Sequence, residues 1–413
     1  MTIGEATAYV RRLARGVAEM ADSPETLERI NRYKRINALI RDVPPICAHL
    51  PPDAADRILH PDQKCQGPYL REIERQLLDR LNRPAAVDDD TPVTKKLYSG
   101  FALSIEPWLE GYKDVRIGEH NESARFSPCL VEPSDFSKMR KPRILYDRAA
   151  TDRAYERLEE LVGDVLEVER GEPYQSTIGW GDSLIDQFAA MRGLEAMYFD
   201  FVDQPEWVHQ VMHFMTQKKL ELFDEYRELG LYVSNCEGGC IGSSSFGLTD
   251  ELRGGDQAES VSEKNLWGFA HAQELSGVSP EMLEEFVLPY QAQLINRFGL
   301  SLYGCCEAME DKIGAVERHI KNLRMISVSP YSNPEKVAEK CRGKYVFAWK
   351  PHPAFMAGFQ TSSAQADLER ALTAAKACCV TVTLMDVYDY GGDPGRFRQW
   401  VQMARRAAQR IFG

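Results

Sequence analysis

The chain has 413 residues and a formal net charge of −12, with 44% hydrophobic, 10% aromatic and 27% charged residues. These values are typical of a soluble globular protein, and the acidic balance argues against nucleic-acid binding, which needs a basic surface. No apolar run approaches the roughly 18 residues that span a bilayer, and the N-terminus lacks the features of a signal sequence, so we expect a cytoplasmic protein without membrane contacts.

Residues 1–90 are predicted to be mostly helical. The stretches TLERINRYKRINALIRD and YLREIERQLLDRLN carry apolar residues at helical spacing. Proline pairs at Pro44–Pro45 and Pro51–Pro52 separate them, and a short strand is expected around PPICAHL. We interpret residues 1–90 as a helical N-terminal extension.

From about residue 95 onward, short β-runs alternate with long amphipathic helices. This alternation is typical of βαβ units and a parallel sheet. Together with the run at 46–50, the candidate strands number eight, which favours an α/β fold with a (β/α)₈ barrel over residues 91–413. The other seven candidate strands are 114–118, 165–171, 232–235, 300–306, 324–329, 345–350 and 380–386.

Two helices and one loop stand out within this region. Residues 206–226 carry an apolar stripe at helical spacing. A second helix is predicted to begin with Ser279 as N-cap and Pro280 at its first position, and to be kinked at Pro289. Residues 236–268 are rich in Gly and Ser and are predicted to form an elaborated loop after a strand, where function usually lies in a barrel.

The ten cysteines include no Cys-x-x-Cys pair, and their spacing builds no zinc finger, so we expect free thiols. The strongest candidate site is the sequence YGCCE at the end of a predicted strand. Because side chains alternate along a strand, Tyr303, Cys305 and Glu307 are expected to share one face, where Cys305 and Glu307 would hold a metal ion or perform acid–base chemistry. The alternative is that Cys305 and Cys306 are small buried hydrophobic residues.

Three further groups follow predicted strands. Asn235 and Glu237 open the glycine-rich loop and are expected to face the barrel mouth, unless NCEGGC is a plain turn. Lys350 and His352 would bind an anionic substrate or donate a proton, the alternative being a surface lysine and a loop histidine.

Asp386 and Tyr388 follow the last predicted strand and are expected to share a face in the pocket, since a carboxylate at the end of an apolar strand needs a partner. Trp267 and His271 are candidates to line the same pocket. The chain has no GxGxxG opening a βαβ unit, no Walker loop, no HExxH and no GxSxG, which disfavours nicotinamide binding, nucleotide hydrolysis and serine-hydrolase chemistry.

Over residues 90–413 the chain resembles the uroporphyrinogen decarboxylase-like superfamily, and this resemblance implies the barrel. The order of the similar segments agrees throughout. These segments are PRILYDRAATDRAYERLEELVGDVLEV, MRGLEAMYFDFVDQPEWVHQVM, GLTDELR, LWGFAHAQELSGVSPEMLEEFVLPY, LYGCCEAMEDKI, RMISVSPYSNPEKVAEK and FAWKPHPA.

The resemblance also separates two branches of the superfamily. True uroporphyrinogen decarboxylases carry an arginine-rich RQAGRY-like segment, where this chain has RDVPPICAHLPPD, so that activity is not expected. Zinc-dependent methyltransferases carry His-x-Cys and a later Cys. Here Cys305 matches the first Cys, Tyr303 replaces the His, and MDVYDYGGDP contains no Cys, so any zinc site must use other ligands from Cys305, Glu307, Glu237, Asp386 or His352.

The motifs YGCCE and KPHPA resemble those of a less characterised subgroup of the superfamily, for which corrinoid-linked methyl transfer is the implied activity. Our first interpretation is therefore a methyltransferase or demethylase that acts on a small molecule and is linked to a corrinoid protein. Its catalytic residues would be Cys305, Glu307 and Asp386, and zinc is the candidate metal. The second is a metal-free decarboxylase or lyase on a small carboxylate, with Lys350 and His352 as anion binders. The third is a non-catalytic small-molecule binding protein. The resemblance also implies a homodimer.

Overall fold

The structure is a computed structural model that describes residues 2–112, 114–117, 123–174, 183–252 and 261–413. Fourteen strands and fourteen α-helices lie in these ranges. The strands are β1 (Ile46–Ala48), β2 (Lys96–Tyr98), β3 (Leu103–Glu106), β4 (Asp114–Ile117), β5 (Ser123–Phe126), β6 (Arg143–Tyr146), β7 (Glu167–Glu169), β8 (Cys240–Gly242), β9 (Ser245–Phe246), β10 (Trp267–Ala270), β11 (Leu300–Tyr303), β12 (Leu323–Val328), β13 (Val346–Trp349) and β14 (Cys379–Leu384). The helices are α1 (Ile3–Ala21), α2 (Pro24–Asn37), α3 (Pro52–Ile58), α4 (Pro68–Ala86), α5 (Arg148–Val162), α6 (Leu184–Arg192), α7 (Leu194–Asp203), α8 (Pro205–Leu229), α9 (Pro280–Phe286), α10 (Leu288–Ile295), α11 (Ile313–His319), α12 (Pro334–Cys341), α13 (Thr361–Ala374) and α14 (Gly395–Phe412).

Eight of these strands are paired in parallel. Six form one sheet in the order β1-β14-β13-β12-β11-β10, and β2 pairs with β7 in a second sheet. Along the chain, at least one helix lies between each of these eight strands and the next, as parallel pairing requires. The predicted α/β class is therefore confirmed, with a six-stranded parallel sheet at its centre.

The two faces of the six-stranded sheet bury different side chains. Leu302, Met325 and Ala348 pack together with Ile241 of β8, and we call their side of the sheet the inner face. Tyr303, the neighbour of Leu302 in β11, instead belongs to the larger core between the sheet and the helices, on the outer face. This is the alternation expected of a strand that is buried on both sides.

A hairpin formed by β8 and β9 packs on the inner face of the sheet. Oγ of Ser243, at its tip, lies 2.8 Å from Oγ of Ser327 in β12. A Cβ atom at Gly242 would lie 2.3 Å from the ring of Phe269, so only glycine permits this close approach. The hairpin thus brings a serine-rich turn toward the carboxyl ends of the strands.

Two of the predicted strands are wrong. Residues 114–117 form an antiparallel hairpin with 123–126 and do not pair with the central sheet, and residue 118 lies outside the described part of the chain. Residues 232–235 form no strand. Two other strands, β2 and β10, complete the eight that pair in parallel. β2 buries only one of its three residues, and β10 lies at the end of the predicted loop 236–268. Residues 253–260 of that loop lie outside the described ranges.

The helix predictions hold more closely. Helix α8 covers the predicted 206–226 and ends at Gly230, which adopts a left-handed conformation. Ser279 accepts a hydrogen bond from the backbone of Met282 as the N-cap of α9, with Pro280 at the first helical position. The predicted kink at Pro289 is a break at Val287 between α9 and α10, because proline at 289 cannot continue the preceding helix. No helix among the described residues is long and apolar enough to cross a membrane.

Candidate functional site

Six titratable side chains follow the carboxyl ends of the parallel strands. In parallel α/β proteins, this end of the sheet is the usual place for a site because the strand-to-helix loops converge there. The residues concerned are His49 after β1, His271 after β10, Cys305 and Cys306 after β11, Lys350 after β13 and Asp386 after β14. We call this set the strand-end cluster.

His271 is held by a buried carboxylate. Its Nδ1 lies 2.9 Å from Oδ2 of Asp186 in α6, and both side chains are almost completely buried. The backbone fixes the same residue, since its N–H donates to Oγ of Ser183 and its carbonyl accepts from Nε2 of Gln291. Burial raises the pKa of Asp186, whereas the interaction with His271 lowers it. This arrangement orients an imidazole in the way that a carboxylate orients a catalytic or metal-binding histidine.

Two adjacent thiols lie next to this pair. The chain turns at Gly304, whose φ of 97° belongs to the left-handed region. Beyond the turn, Sγ of Cys305 lies 3.8 Å from Sγ of Cys306, and Cys306 is exposed. The hydrogen bond between the two thiols lowers the pKa of Cys306, and the positive charge of His271 acts in the same direction. The thiol at the surface of the cluster is thus the one whose thiolate is favoured.

Glu307 has a structural task that the sequence did not reveal. Its Oε1 accepts a hydrogen bond of 2.8 Å from the backbone N–H of Ala272, and its Oε2 accepts one of 2.9 Å from that of Cys305. The side chain is 1% exposed. The carboxylate therefore ties the end of β10 to the turn after β11, and both of its oxygens are occupied.

The side chains that the structure describes do not fit a zinc ion. Glu307 uses both oxygens for backbone amides, which leaves Cys305 without the second ligand that the sequence predicted. Within the described ranges, no group of three or more His, Cys, Asp and Glu side chains is placed to hold a metal ion. A tetrahedral zinc site needs three or four such ligands.

Lys350 contributes a buried amine. It continues the inner-face alternation of β13, is 2% exposed, and its Nζ lies 3.0 Å from Oγ of Ser245 in the β8–β9 hairpin. No carboxylate of the described residues lies within 4 Å of it. Burial lowers the pKa of Lys350 to about 8, although the charges of Cys240, Cys305 and Asp386 oppose the shift. A buried cation without a carboxylate partner is suited to receive an anion.

A cavity of about 360 Å³ opens between the ends of β1 and β14. Asp386 lines it with a φ of 56°, a left-handed conformation that is unusual for a residue other than glycine. Burial raises the pKa of Asp386, and the charge of Lys350 lowers it. Tyr388 and His49 form other parts of the wall, so the predicted pair Asp386 and Tyr388 does share one pocket.

Five further predicted site residues are not members of the strand-end cluster, namely Trp267, Glu237, Tyr303, His352 and Asn235. Trp267 is at the amino end of β10 in the inner-face cluster, where its Nε1 donates to the carbonyl of Gly247. Glu237 pairs with Lys96 at 2.6 Å, at the first residue of β2 and so at the opposite ends of the strands. Tyr303 faces the helices.

The hydroxyl of Tyr303 donates to Oε1 of Gln291, whose Nε2 donates to the carbonyl of His271. The alternation that was expected to join Tyr303, Cys305 and Glu307 on one face ends at Gly304. His352 accepts a hydrogen bond from the backbone of Ala354 as the cap of a short 3₁₀ helix, and its ring contacts that of Tyr331.

Asn235 is fully engaged with the backbone. Its Nδ2 donates to the carbonyls of Tyr174 and Trp267 at 3.1 and 3.0 Å, and its Oδ1 accepts from the N–H of Trp267 at 3.0 Å. The amide thus replaces strand-to-strand hydrogen bonds between the segment after β7 and the start of β10.

Three members of this environment were missed by sequence reasoning. Asp186 lies within an apolar helix, and nothing in the sequence relates it to His271. Cys306 was not among the candidate catalytic residues, because strand alternation was extended past Gly304 and selected only Cys305 and Glu307. His49 follows the short strand β1, and the rule that found Lys350 and Asp386, a polar residue directly after a strand, would also have found it.

No family model matches the chain. Among curated proteins, it is similar to the pH-response regulator protein RIM20 of Yarrowia lipolytica, with 24% identity over 225 residues, 51% of this chain and 27% of that protein. The chain thus spans about a quarter of the length of the curated relative it matches. Among solved structures, it is similar to a methyltransferase from Methanosarcina mazei, with a TM-score of 0.48 and 10% identity, over 93% of this chain and 99% of that one. At these identities, neither likeness assigns the chain to a family.

Proposed function

We propose that this protein is an enzyme that moves a methyl group from a small molecule, with its reacting centre in the strand-end cluster. The observation that carries the proposal is the buried pair of Asp186 and His271, joined at 2.9 Å beside two thiols at the ends of parallel strands. The resemblance of the segments around these residues to the uroporphyrinogen decarboxylase-like superfamily supports the same reaction class.

The proposal includes a closed (β/α)₈ barrel. Eight parallel strands alternate with helices, and side chains bridge both gaps between the two sheets. Asn235 joins the segment after β7 to β10, and Asp89 and Asp90 accept the backbone N–H groups of Ala48 and Ile46 in β1 shortly before β2 begins. These contacts support closure by side chains where the strand ladder is interrupted.

In the proposed reaction, His271 donates a proton to the leaving group. When a methyl group leaves an oxygen, sulfur or nitrogen atom, that atom keeps the electron pair of the broken bond, and a proton makes it a better leaving group. His271, oriented by Asp186, would donate this proton, and Lys350 would attract a negatively charged part of the substrate. Asp386, His49 and Tyr388 would form the wall on which the substrate rests.

The methyl acceptor would come from outside this chain. A corrinoid carried by a partner protein would supply a strong nucleophile for the methyl group. Since the ligands among the described residues do not fit zinc, no step is assigned to a metal ion, and Glu307 keeps its structural role of binding two backbone N–H groups.

The test is methyl transfer to free reduced cobalamin under anaerobic conditions, with a panel of small O-, S- and N-methyl compounds as donors and methylcobalamin absorbance as the readout. At least one donor should react. His271→Gln should lower the rate by about 10²–10⁴-fold, the usual size of a general-acid contribution. His319→Gln, at a surface histidine that pairs with Glu284, is the matched control and should keep the rate. Absence of methylcobalamin with every donor would reject the proposal.

A second candidate function is favoured by Lys350 itself. A buried amine with a lowered pKa and no carboxylate partner among the described residues suits a metal-free decarboxylase or lyase on a small carboxylate. Release of carbon dioxide from a panel of carboxylic acids, lost in Lys350→Met, together with no methyl transfer, would favour this candidate. Binding of the same acids without turnover would favour a non-catalytic binding protein.

A further inference from the structure

We propose that Cys305 and Cys306 form a reversible disulfide with each other when the protein meets a peroxide, so that the turn after β11 is a redox-sensitive modification site. The inference does not depend on the reaction proposed above. It rests on the placement of the two sulfur atoms, which lie 3.8 Å apart at the open side of the strand-end cluster.

The pair meets the geometric needs of such a bond. Cys306 is exposed and Cys305 is partly exposed, so an oxidant can reach both. Residues 305–307 form a bend outside helix and strand, so no backbone ladder prevents the sulfurs from moving from 3.8 Å to the bonding distance of about 2 Å. The main restraint is the hydrogen bond from the N–H of Cys305 to Glu307.

The bond would be easily reduced. Adjacent Cα atoms are held about 3.8 Å apart by a trans peptide, which is shorter than the usual range of about 4.4–6.8 Å for disulfides. Strain of this kind makes a disulfide more reducible, and exposed strained bonds are the labile, regulatory ones. The geometry therefore points to a switch and not to a structural crosslink.

The chemistry is balanced with hydrogen peroxide as oxidant. The thiolate of Cys306 attacks one peroxide oxygen, the O–O bond breaks, and the leaving hydroxide takes a proton to become water. The thiol of Cys305 then attacks the sulfenic sulfur of Cys306, the S–S bond forms, and a second water leaves with the thiol proton. Two thiols are thus oxidised by two electrons while one peroxide is reduced to two waters.

The chain offers an internal control in its second adjacent pair. Cys378 and Cys379 are also neighbours, but both are buried, and they lie in different clusters on the outer and inner faces of the sheet. Their sulfur atoms point away from each other at the start of β14. They should remain thiols under conditions that oxidise the first pair.

The experiment treats the whole protein with an equimolar amount of hydrogen peroxide, alkylates it with iodoacetamide under denaturing conditions and analyses the peptides by mass spectrometry. The peptide with Cys305 and Cys306 should lose two hydrogen atoms and both alkylation sites, and dithiothreitol should restore them, while the peptide with Cys378 and Cys379 stays alkylated. In Cys305→Ser, a dimedone adduct should appear on Cys306. Full alkylation of the first pair after oxidation, its direct passage to sulfinic acid, or a bond from Cys306 to another cysteine would each overturn the inference.

Discussion

Oδ2 of Asp186 lies 2.9 Å from Nδ1 of His271, and this contact joins the start of α6 to the carboxyl end of β10. The same carboxylate accepts a hydrogen bond from the backbone N–H of Glu274, so its position is determined from two sides. An imidazole held through Nδ1 presents its other nitrogen in a defined direction, which is what proton transfer to a bound substrate requires.

The first prediction concerns Asp186→Asn. The amide is the same size but does not stabilise an imidazolium, so we expect the turnover rate to fall by about 10–100-fold, as for other groups that orient a histidine. The limb of the pH–rate profile that reports the imidazolium should move to lower pH, because the positive charge loses its partner.

The matched control for this variant is Asp200→Asn. Asp200 is another buried aspartate, paired with Arg192 at 2.6 Å in α7, away from the strand ends. It should lower stability without moving the pH profile. An unchanged pH profile in Asp186→Asn would show that the pair only supports the fold.

The second prediction concerns Glu307→Gln. A glutamine side chain has one acceptor oxygen, so either the N–H of Ala272 or that of Cys305 loses its partner in a buried place. We expect the free energy of unfolding, measured with urea, to fall by about 2–4 kcal/mol. Glu237→Gln, in a partly exposed pair with Lys96, should lower it by only about 0–1 kcal/mol. Stoichiometric zinc in the wild type that disappears in both Glu307→Gln and Cys305→Ser would contradict this structural role.

The sequence identified much of the fold because periodicity is a local signal. The stripe of α8, the cap of α9 and the inner strands β11 to β14 all carry patterns within a few residues. β2 is the opposite case, since three residues with one buried side chain contain too little pattern to be recognised. A strand was predicted at 232–235 because the composition of this segment is β-like. In the structure the side chain of Asn235, and not a strand, forms the hydrogen bonds to the start of β10.

The candidate site was less predictable, because its residues lie where the alternation of side chains along each strand ends. Lys350 continues the side-chain alternation of β13 just past its carboxyl end, where the charge of Asp386 acts on it. In β11 the alternation ends one residue after Tyr303, at the left-handed Gly304. A single glycine therefore separates Tyr303 on the outer face from the thiols in the cluster, and no periodicity rule reports the φ of a glycine.

The third prediction concerns Asn235→Ala. The alanine leaves the carbonyls of Tyr174 and Trp267 and the N–H of Trp267 without their present partner. We expect the free energy of unfolding to fall by about 3 kcal/mol, since unpaired buried backbone groups are costly. Ligand binding by the folded variant should be unchanged. A full loss of binding with normal stability would instead place Asn235 in the ligand site, as the sequence suggested.

The fourth prediction concerns the pH dependence caused by Lys350. Burial lowers its pKa from 10.5 to about 8 in the folded protein. Between these two values the unfolded chain binds more protons than the folded one, so stability rises with pH across this window, and below the folded pKa the full penalty of about 3 kcal/mol applies. Lys350→Met removes this penalty and should therefore raise the free energy of unfolding at neutral pH. The gain should be smaller than the full penalty, because the variant also loses the hydrogen bond to Ser245.

The same variant should lose the response to anions. In the wild type, small carboxylates at neutral pH should raise the melting temperature, and this shift should shrink by about pH 9.5, where the amine is mostly neutral. Lys350→Met should show no shift at either pH. Lys312→Met is the matched control, because Lys312 is also buried with a lowered pKa but donates to the carbonyl of Leu275. It should keep the anion response. An anion response that survives in Lys350→Met would place the anion site elsewhere, because the only charge removed is the one at the end of β13.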